Sequence, residues 1–132
     1  MEGMISFQVL IEEYDPDPPE PHEIDAAQVL TRHFQSNIRF IPKTTGHCPD
    51  VVVERTGEIW EIKSPKGNGK YTMANNLERA HSQSKKVVLD LSRCKMRDER
   101  ALARIRAYIN SKYYQLERVL VVTKMKKVVD MK

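Results

Sequence analysis

Three ionisable residues stand out by type and spacing: Asp50, Glu61 and Lys63. Asp50 precedes the run Val51-Val-Val-Glu-Arg55. Glu61 and Lys63 end the run Glu58-Ile-Trp-Glu-Ile-Lys63, and Thr56-Gly57 lies between the two. Both runs are rich in β-branched and apolar residues, so the spacing predicts a hairpin with Thr56-Gly57 as a two-residue turn. That register sets Arg55 opposite Glu58, Val53 opposite Trp60, Val52 opposite Glu61 and Asp50 opposite Lys63. Side chains alternate along a strand, so Asp50, Val52 and Glu54 share a face with Ile59, Glu61 and Lys63, while Trp60 turns the other way into a core. Two carboxylates and an ammonium converging on apolar strands are costly to bury unless they pair or bind something. Two carboxylate oxygens suit a hard cation such as Mg²⁺ or Mn²⁺, and a neighbouring Lys can orient a water or stabilise charge developing on a phosphate. A salt bridge across an exposed hairpin end accounts for the same residues without chemistry.

Polar residues downstream could extend such a site. Ser64, Lys66 and Lys70 belong to a Gly-containing basic stretch, read as a flexible loop able to close on a phosphate backbone, although it lacks the P-loop spacing. A helix is predicted from Met73 to Gln83 with Thr72 as its cap, carrying Arg79, His81 and Gln83; Lys85 follows. Arg79 and Lys85 are candidate phosphate contacts, and His81 is either an acid/base group or an exposed helix-face histidine. His47 and Cys48 could ligate a metal beside Asp50, but two adjacent ligands without a second pair are commonly loop residues. Cys48 and Cys94, the two cysteines, have no CxxC spacing and read as reduced structural thiols.

These residues sit in a chain of 132, 40% hydrophobic and 30% charged, the size of one domain with a single core. No apolar run approaches a membrane span, and the N-terminus lacks the layout of a secretory signal, so a cytoplasmic location is expected, with no membrane partner. The net charge of +4 conceals an asymmetry: eight of 18 acids precede residue 31, whereas all 22 Lys and Arg follow it. A body with 22 bases against 10 acids suits a polyanion, above all nucleic acid. The oligomeric state is not legible.

The elements that must position the candidate site follow from periodicity. Residues 1–21 read as a strand, Met4 to Glu12, and an acidic Pro-rich segment that cannot continue it. Residues 22–132 read as the domain proper. They comprise a helix from His22 to Gln35, a strand from Asn37 to Ile41, the hairpin, the helix ending at Gln83, and a buried strand from Lys86 to Leu91. An amphipathic helix from Arg97 to Tyr114 and a terminal hairpin, Arg118 to Thr123 and Lys127 to Met131, complete the chain. The order from His22 is αβββαβ followed by αββ, an α/β (α+β) domain with a central mixed sheet flanked by helices.

Pro49-Asp50 followed by Glu61-Ile-Lys63, within that αβββαβ order, resembles the PD-(D/E)xK nucleases. The resemblance implies Asp50 and Glu61 as metal ligands and Lys63 as a catalytic residue, with a further polar residue, often Gln, on the next helix, where Gln83 stands. A narrower resemblance covers residues from about 48 to 132. It rests on the segment from Pro49 to Gly67, Asn75-Asn-Leu-Glu-Arg-Ala80, Gln83-Ser-Lys-Lys-Val-Val-Leu-Asp-Leu91 and Val119-Leu-Val-Val-Thr-Lys124, which together are similar to the C-terminal tRNase domain of contact-dependent growth inhibition (CdiA) toxins. That similarity implies a nuclease acting on RNA, foremost tRNA, with an immunity protein as partner. Two mechanisms stay open. One uses Mg²⁺ or Mn²⁺ held by Asp50 and Glu61. The other needs no cofactor: a ribose 2′-hydroxyl attacks the phosphate, Glu61 or His81 exchanges protons, and Lys63 and Arg79 stabilise charge. A metal-dependent DNase and an inactive nucleic-acid-binding module are the competing functions.

Overall fold

The computed structural model describes residues 6–43, 49–112 and 115–132. The elements, in chain order, are β1 (Val9–Leu10), α1 (Pro21–Phe34), β2 (Ile38–Phe40), β3 (Val51–Val53), β4 (Glu58–Lys63) and α2 (Thr72–His81). Then come β5 (Lys86–Asp90), α3 (Asp98–Lys112), β6 (Arg118–Val122) and β7 (Val128–Asp130). The mixed α/β class and the single-domain architecture are as the sequence predicts. Seven strands lie in one mixed sheet in the order of the chain. β1 pairs parallel with β2, so the short N-terminal strand is a sheet edge; Met4 and Ile5 of its expected range lie outside the described residues. The pairs β2–β3, β3–β4 and β6–β7 are antiparallel, whereas β4–β5 and β5–β6 are parallel, with α2 and α3 as their crossovers.

The sheet separates two cores. On one side α1 buries Ala26, Ala27, Val29 and Leu30 against Ile38, Phe40, Val51, Val53, Trp60 and Ile62. On the other, Met73, Leu77 and Ala80 of α2 and Ala101, Ile105 and Ile109 of α3 pack on Val87, Leu89, Val119 and Val121. β5 is covered on both faces, which explains its unbroken apolar run Val87-Val-Leu89. Trp60 is fully buried, as its facing predicts.

Local chemistry moves several boundaries. α1 starts at Pro21, a residue favoured in a first turn, and the Glu23 carboxylate accepts the Glu20 N–H. α2 ends at His81 because the Gln83 and Ser84 N–H groups both turn back to the Ala80 carbonyl, which leaves Gln83 beyond the helix. Thr72 is the first residue of that helix rather than its cap: its hydroxyl accepts the Gly69 N–H. At the far end of the chain, residues 113 and 114, the expected finish of α3, lie outside the described set.

Candidate active site

The hairpin forms, but its register differs from the one its turn suggests. Val53 pairs with Glu58, Val52 with Ile59 and Val51 with Trp60, leaving Glu54 to Gly57 as a four-residue turn. The Thr56 and Gly57 N–H groups both reach the Val53 carbonyl, and Gly57 takes a positive φ of 78° at which a side chain would be strained. The slip is two residues, an even number, so every side chain keeps its predicted face. Only the partners change: past the Val51–Trp60 pair the Asp50 N–H donates to the Trp60 carbonyl, and the Asp50 carboxylate neighbours that of Glu61.

Asp50 and Glu61 are both buried, at 3% exposure each. Glu61 and Lys63 are in register with Val87 and Leu89, so they point to the α2 side of the sheet. Asp50 Oδ2 accepts the Ile62 N–H at 2.8 Å, and Asp50 Oδ1 faces Lys43 Nζ at 3.1 Å. Lys63 Nζ lies 3.3 Å from Glu61 Oε2, while Glu61 Oε1 is buried without a hydrogen-bond donor among the described residues. Burial raises the Glu61 carboxyl to about 8; the Asp50 charge adds to this and Lys63 opposes it. For Lys43, partial burial favours the neutral form, but the Asp50 carboxylate reverses this and lifts the ammonium above its ordinary value, with smaller help from Glu23 and Glu61.

Lys43 is the participant that sequence reasoning missed. It lies in a connection without regular structure, eighteen positions before Glu61 in the chain, and no periodicity marks it. His47 and Cys48, the other residues named near Asp50, lie outside the described residues.

Beyond Lys63 the chain forms a cleft of about 310 Å³ against one face of α2, lined by Ser64, Lys66, Gly67, Thr72, Asn76 and Arg79 among others. Its basic loop is held rather than free. Lys95 N–H donates to the Lys66 carbonyl, Cys94 Sγ to the Gly67 carbonyl and Arg104 to the Lys70 carbonyl. Cys94 is a buried free thiol, as expected of a structural cysteine. Ser64 Oγ approaches Asp90, a buried carboxylate that also takes both the N–H and the hydroxyl of Ser92.

The structure therefore brings Asp50, Glu61 and Lys63 together, and it brings Ser64, Lys66 and Arg79 together in the cleft that the chain enters directly after Lys63. Lys70 is not among the residues lining this cleft; its ammonium lies 5.6 Å from the Tyr71 ring centre. His81, Gln83 and Lys85 are elsewhere: they line a second cleft of about 750 Å³ with Ser82, Gln115 and Glu117, where α2 ends and β5 begins. Among the described residues His81 makes no hydrogen bond or ion pair with Glu61.

Paired buried carboxylates and a lysine at one end of a mixed sheet, with helices on both faces, define the class: an α/β domain with a charged candidate centre. A family model, described as the contact-dependent growth inhibition CdiA C-terminal domain, matches residues 48–128, and the chain belongs to that family. Among solved structures it is similar to a CdiA-CT/CdiI toxin and immunity complex from Burkholderia pseudomallei. The two share 18% identity at a TM-score of 0.67, over 95% of this chain and 98% of that one, a likeness of fold. No curated protein matches the sequence. No helix of the described residues is long and apolar enough to cross a membrane.

Proposed function

We propose that this domain is the toxic nuclease part of a growth-inhibition system and that it cuts the phosphodiester backbone of RNA, with tRNA as its target. The observation that carries this reading is the buried Asp50–Glu61 pair with Lys63, from which the chain passes directly into a basic cleft at Ser64, in a chain of the CdiA C-terminal family. Burying two carboxylates without full hydrogen-bonding opposes folding, and such an arrangement persists where chemistry requires it.

The donor set fits a divalent ion. Glu61 Oε1 is a buried oxygen without a donor among the described residues, and the neighbouring Asp50 supplies a second hard oxygen. Asp50 and Glu61 would hold Mg²⁺ or Mn²⁺, which supplies Lewis-acid polarisation of the phosphodiester and activation of water. Lys63 points its ammonium to the same place, where it orients the nucleophile and opposes charge on the phosphate oxygens. Lys66 and Arg79 bind the neighbouring phosphates, with Ser64 oriented by Asp90. His81, Gln83 and Lys85 take a more distant part of the substrate in their own cleft.

A second reading rests on Glu61. A carboxyl raised to about 8 holds and releases a proton near neutral pH, which suits general acid–base transfer in a metal-free attack by a ribose 2′-hydroxyl. Both readings place the action in the cytosol of a target cell, where tRNA is found. They also imply an immunity partner that is acidic where it covers the cleft; the similar structure is itself a toxin and immunity complex.

The test incubates wild-type and Lys63→Ala protein with total tRNA and with plasmid DNA, each with Mg²⁺ and with EDTA. Wild-type cleavage of tRNA that Lys63→Ala lacks is expected. Its loss in EDTA assigns the metal mechanism, and its survival assigns the 2′-hydroxyl mechanism. Cleavage of DNA alone overturns the RNA reading, and cleavage of neither substrate, with binding retained, makes the domain an inactive nucleic-acid-binding module.

A further inference from the structure

Each oxygen of the carboxylate pair has a different environment. Asp50 Oδ2 is fixed by the Ile62 N–H, Glu61 Oε2 is taken by Lys63, and Glu61 Oε1 has no donor among the described residues. The remaining oxygen, Asp50 Oδ1, is taken by Lys43 at 3.1 Å. The Lys43 side chain is 42% exposed and the Asp50 side chain 4%, so the ammonium reaches a buried acceptor from the solvent side. Among the described residues the Lys43 side chain forms one ion pair, with Asp50, and is drawn more weakly by Glu23 and Glu61, while the chain two residues before it is anchored independently by the Ile41 N–H on the Asp50 carbonyl. The ammonium can leave without disturbing the sheet. Asp50 cannot offer its other oxygen instead, because turning the carboxylate would strand a buried N–H.

We propose that Lys43 is the resident cation of this centre, a positioning residue that occupies the Asp50 oxygen a divalent ion needs and must swing away before that ion binds. The inference rests on the metal reading of the Asp50–Glu61 pair. With Lys43 in place the ion has one open protein oxygen, Glu61 Oε1; with Lys43 withdrawn it has two. Apparent affinity is then lowered by the fraction of molecules in which Lys43 is withdrawn. Lys43 also keeps two neighbouring buried carboxylates tolerable while no ion is bound.

The experiment titrates Mn²⁺ into the full chain by calorimetry, comparing wild type, Lys43→Gln, Lys43→Arg and Glu61→Gln. Lys43→Gln should bind about tenfold more tightly than wild type, as expected if roughly a tenth of molecules have Lys43 withdrawn. Lys43→Arg should not gain affinity, and Glu61→Gln should lose binding. A second readout is acetylation of Lys43 in the wild type, which should quicken severalfold on adding Mg²⁺ and stay unchanged in Glu61→Gln. Equal Mn²⁺ affinity in wild type and Lys43→Gln overturns the role of Lys43 and leaves the metal reading standing. Absence of binding in both, with melting curves showing folded protein, overturns the two together.

Discussion

Helix α2 has one polar cleft along a face and another at its C-terminal end, and the two differ in what their polar atoms cost. The cleft at its C-terminal end is the larger, about 750 Å³, and its lining from His81 to Lys85 is at the surface, where water satisfies polar groups at no expense. The cleft along its face is about 310 Å³, but its first residue, Ser64, follows directly on Lys63, whose partner Glu61 is at 3% exposure with an oxygen lacking any donor among the described residues. Volume favours the first and electrostatic cost the second. We therefore place the proposed chemistry with the second, because a group held at a cost in folding is poised to act on something else.

Kinetics separates the two clefts most directly. Lys63→Ala and Glu61→Gln should each lower the rate of RNA cleavage by about a thousandfold or more through kcat. His81→Ala and Lys85→Ala should change kcat less than about threefold and act through KM. Single-turnover cleavage of tRNA measures both, and a His81→Ala loss as large as that of Lys63→Ala would merge the two clefts into one site.

Salt dependence separates them next. Replacing Lys66 and Arg79 together by Ala should weaken tRNA binding and lower the slope of log affinity against log salt by about two, one for each phosphate no longer neutralised. Filter binding between low and physiological salt reads this slope.

A pH series tests the electrostatic cost itself. Glu61 is raised from 4.5 to about 8 in the folded chain, so between these values the folded state holds a proton that the unfolded chain has released. Its ionisation therefore costs nothing below about pH 4.5, and stability falls as pH rises toward 8. Glu61→Gln is expected to gain on wild type across that window, by several degrees in melting temperature at about pH 8.5 and by little at about pH 4.5.

The smallest effect belongs to the basic loop that lines the smaller cleft. Cys94→Ala removes the thiol that reaches the Gly67 carbonyl and should cost about 1 kcal/mol in chemical denaturation, with activity reduced less than about threefold.

Much of this is legible in the sequence because it depends on period. The element order and the facing of Glu61, Lys63 and Trp60 follow from alternation, and the facing withstands a different turn because the register slips by an even number. The turn itself misleads because Thr56-Gly57 looks like a two-residue loop, whereas Val53 gathers both N–H groups and only Gly57 takes a positive φ. Lys43 is invisible, since an ion pair formed by a residue in an irregular connection has no local signature. His81, Gln83 and Lys85 are close to the candidate centre in sequence order, but α2 carries them to its far end before β5 begins.

The hydrogen bond from the Ile62 N–H to Asp50 Oδ2 has a consequence for observing this centre. Strand β3 begins at Val51, so a carboxylate stands where a further backbone carbonyl would have completed the ladder. The exchange rate of a single amide proton, that of Ile62, is thus tied to the posture of Asp50. Deuterium uptake there reports whatever Asp50 holds, in the silent protein and without substrate.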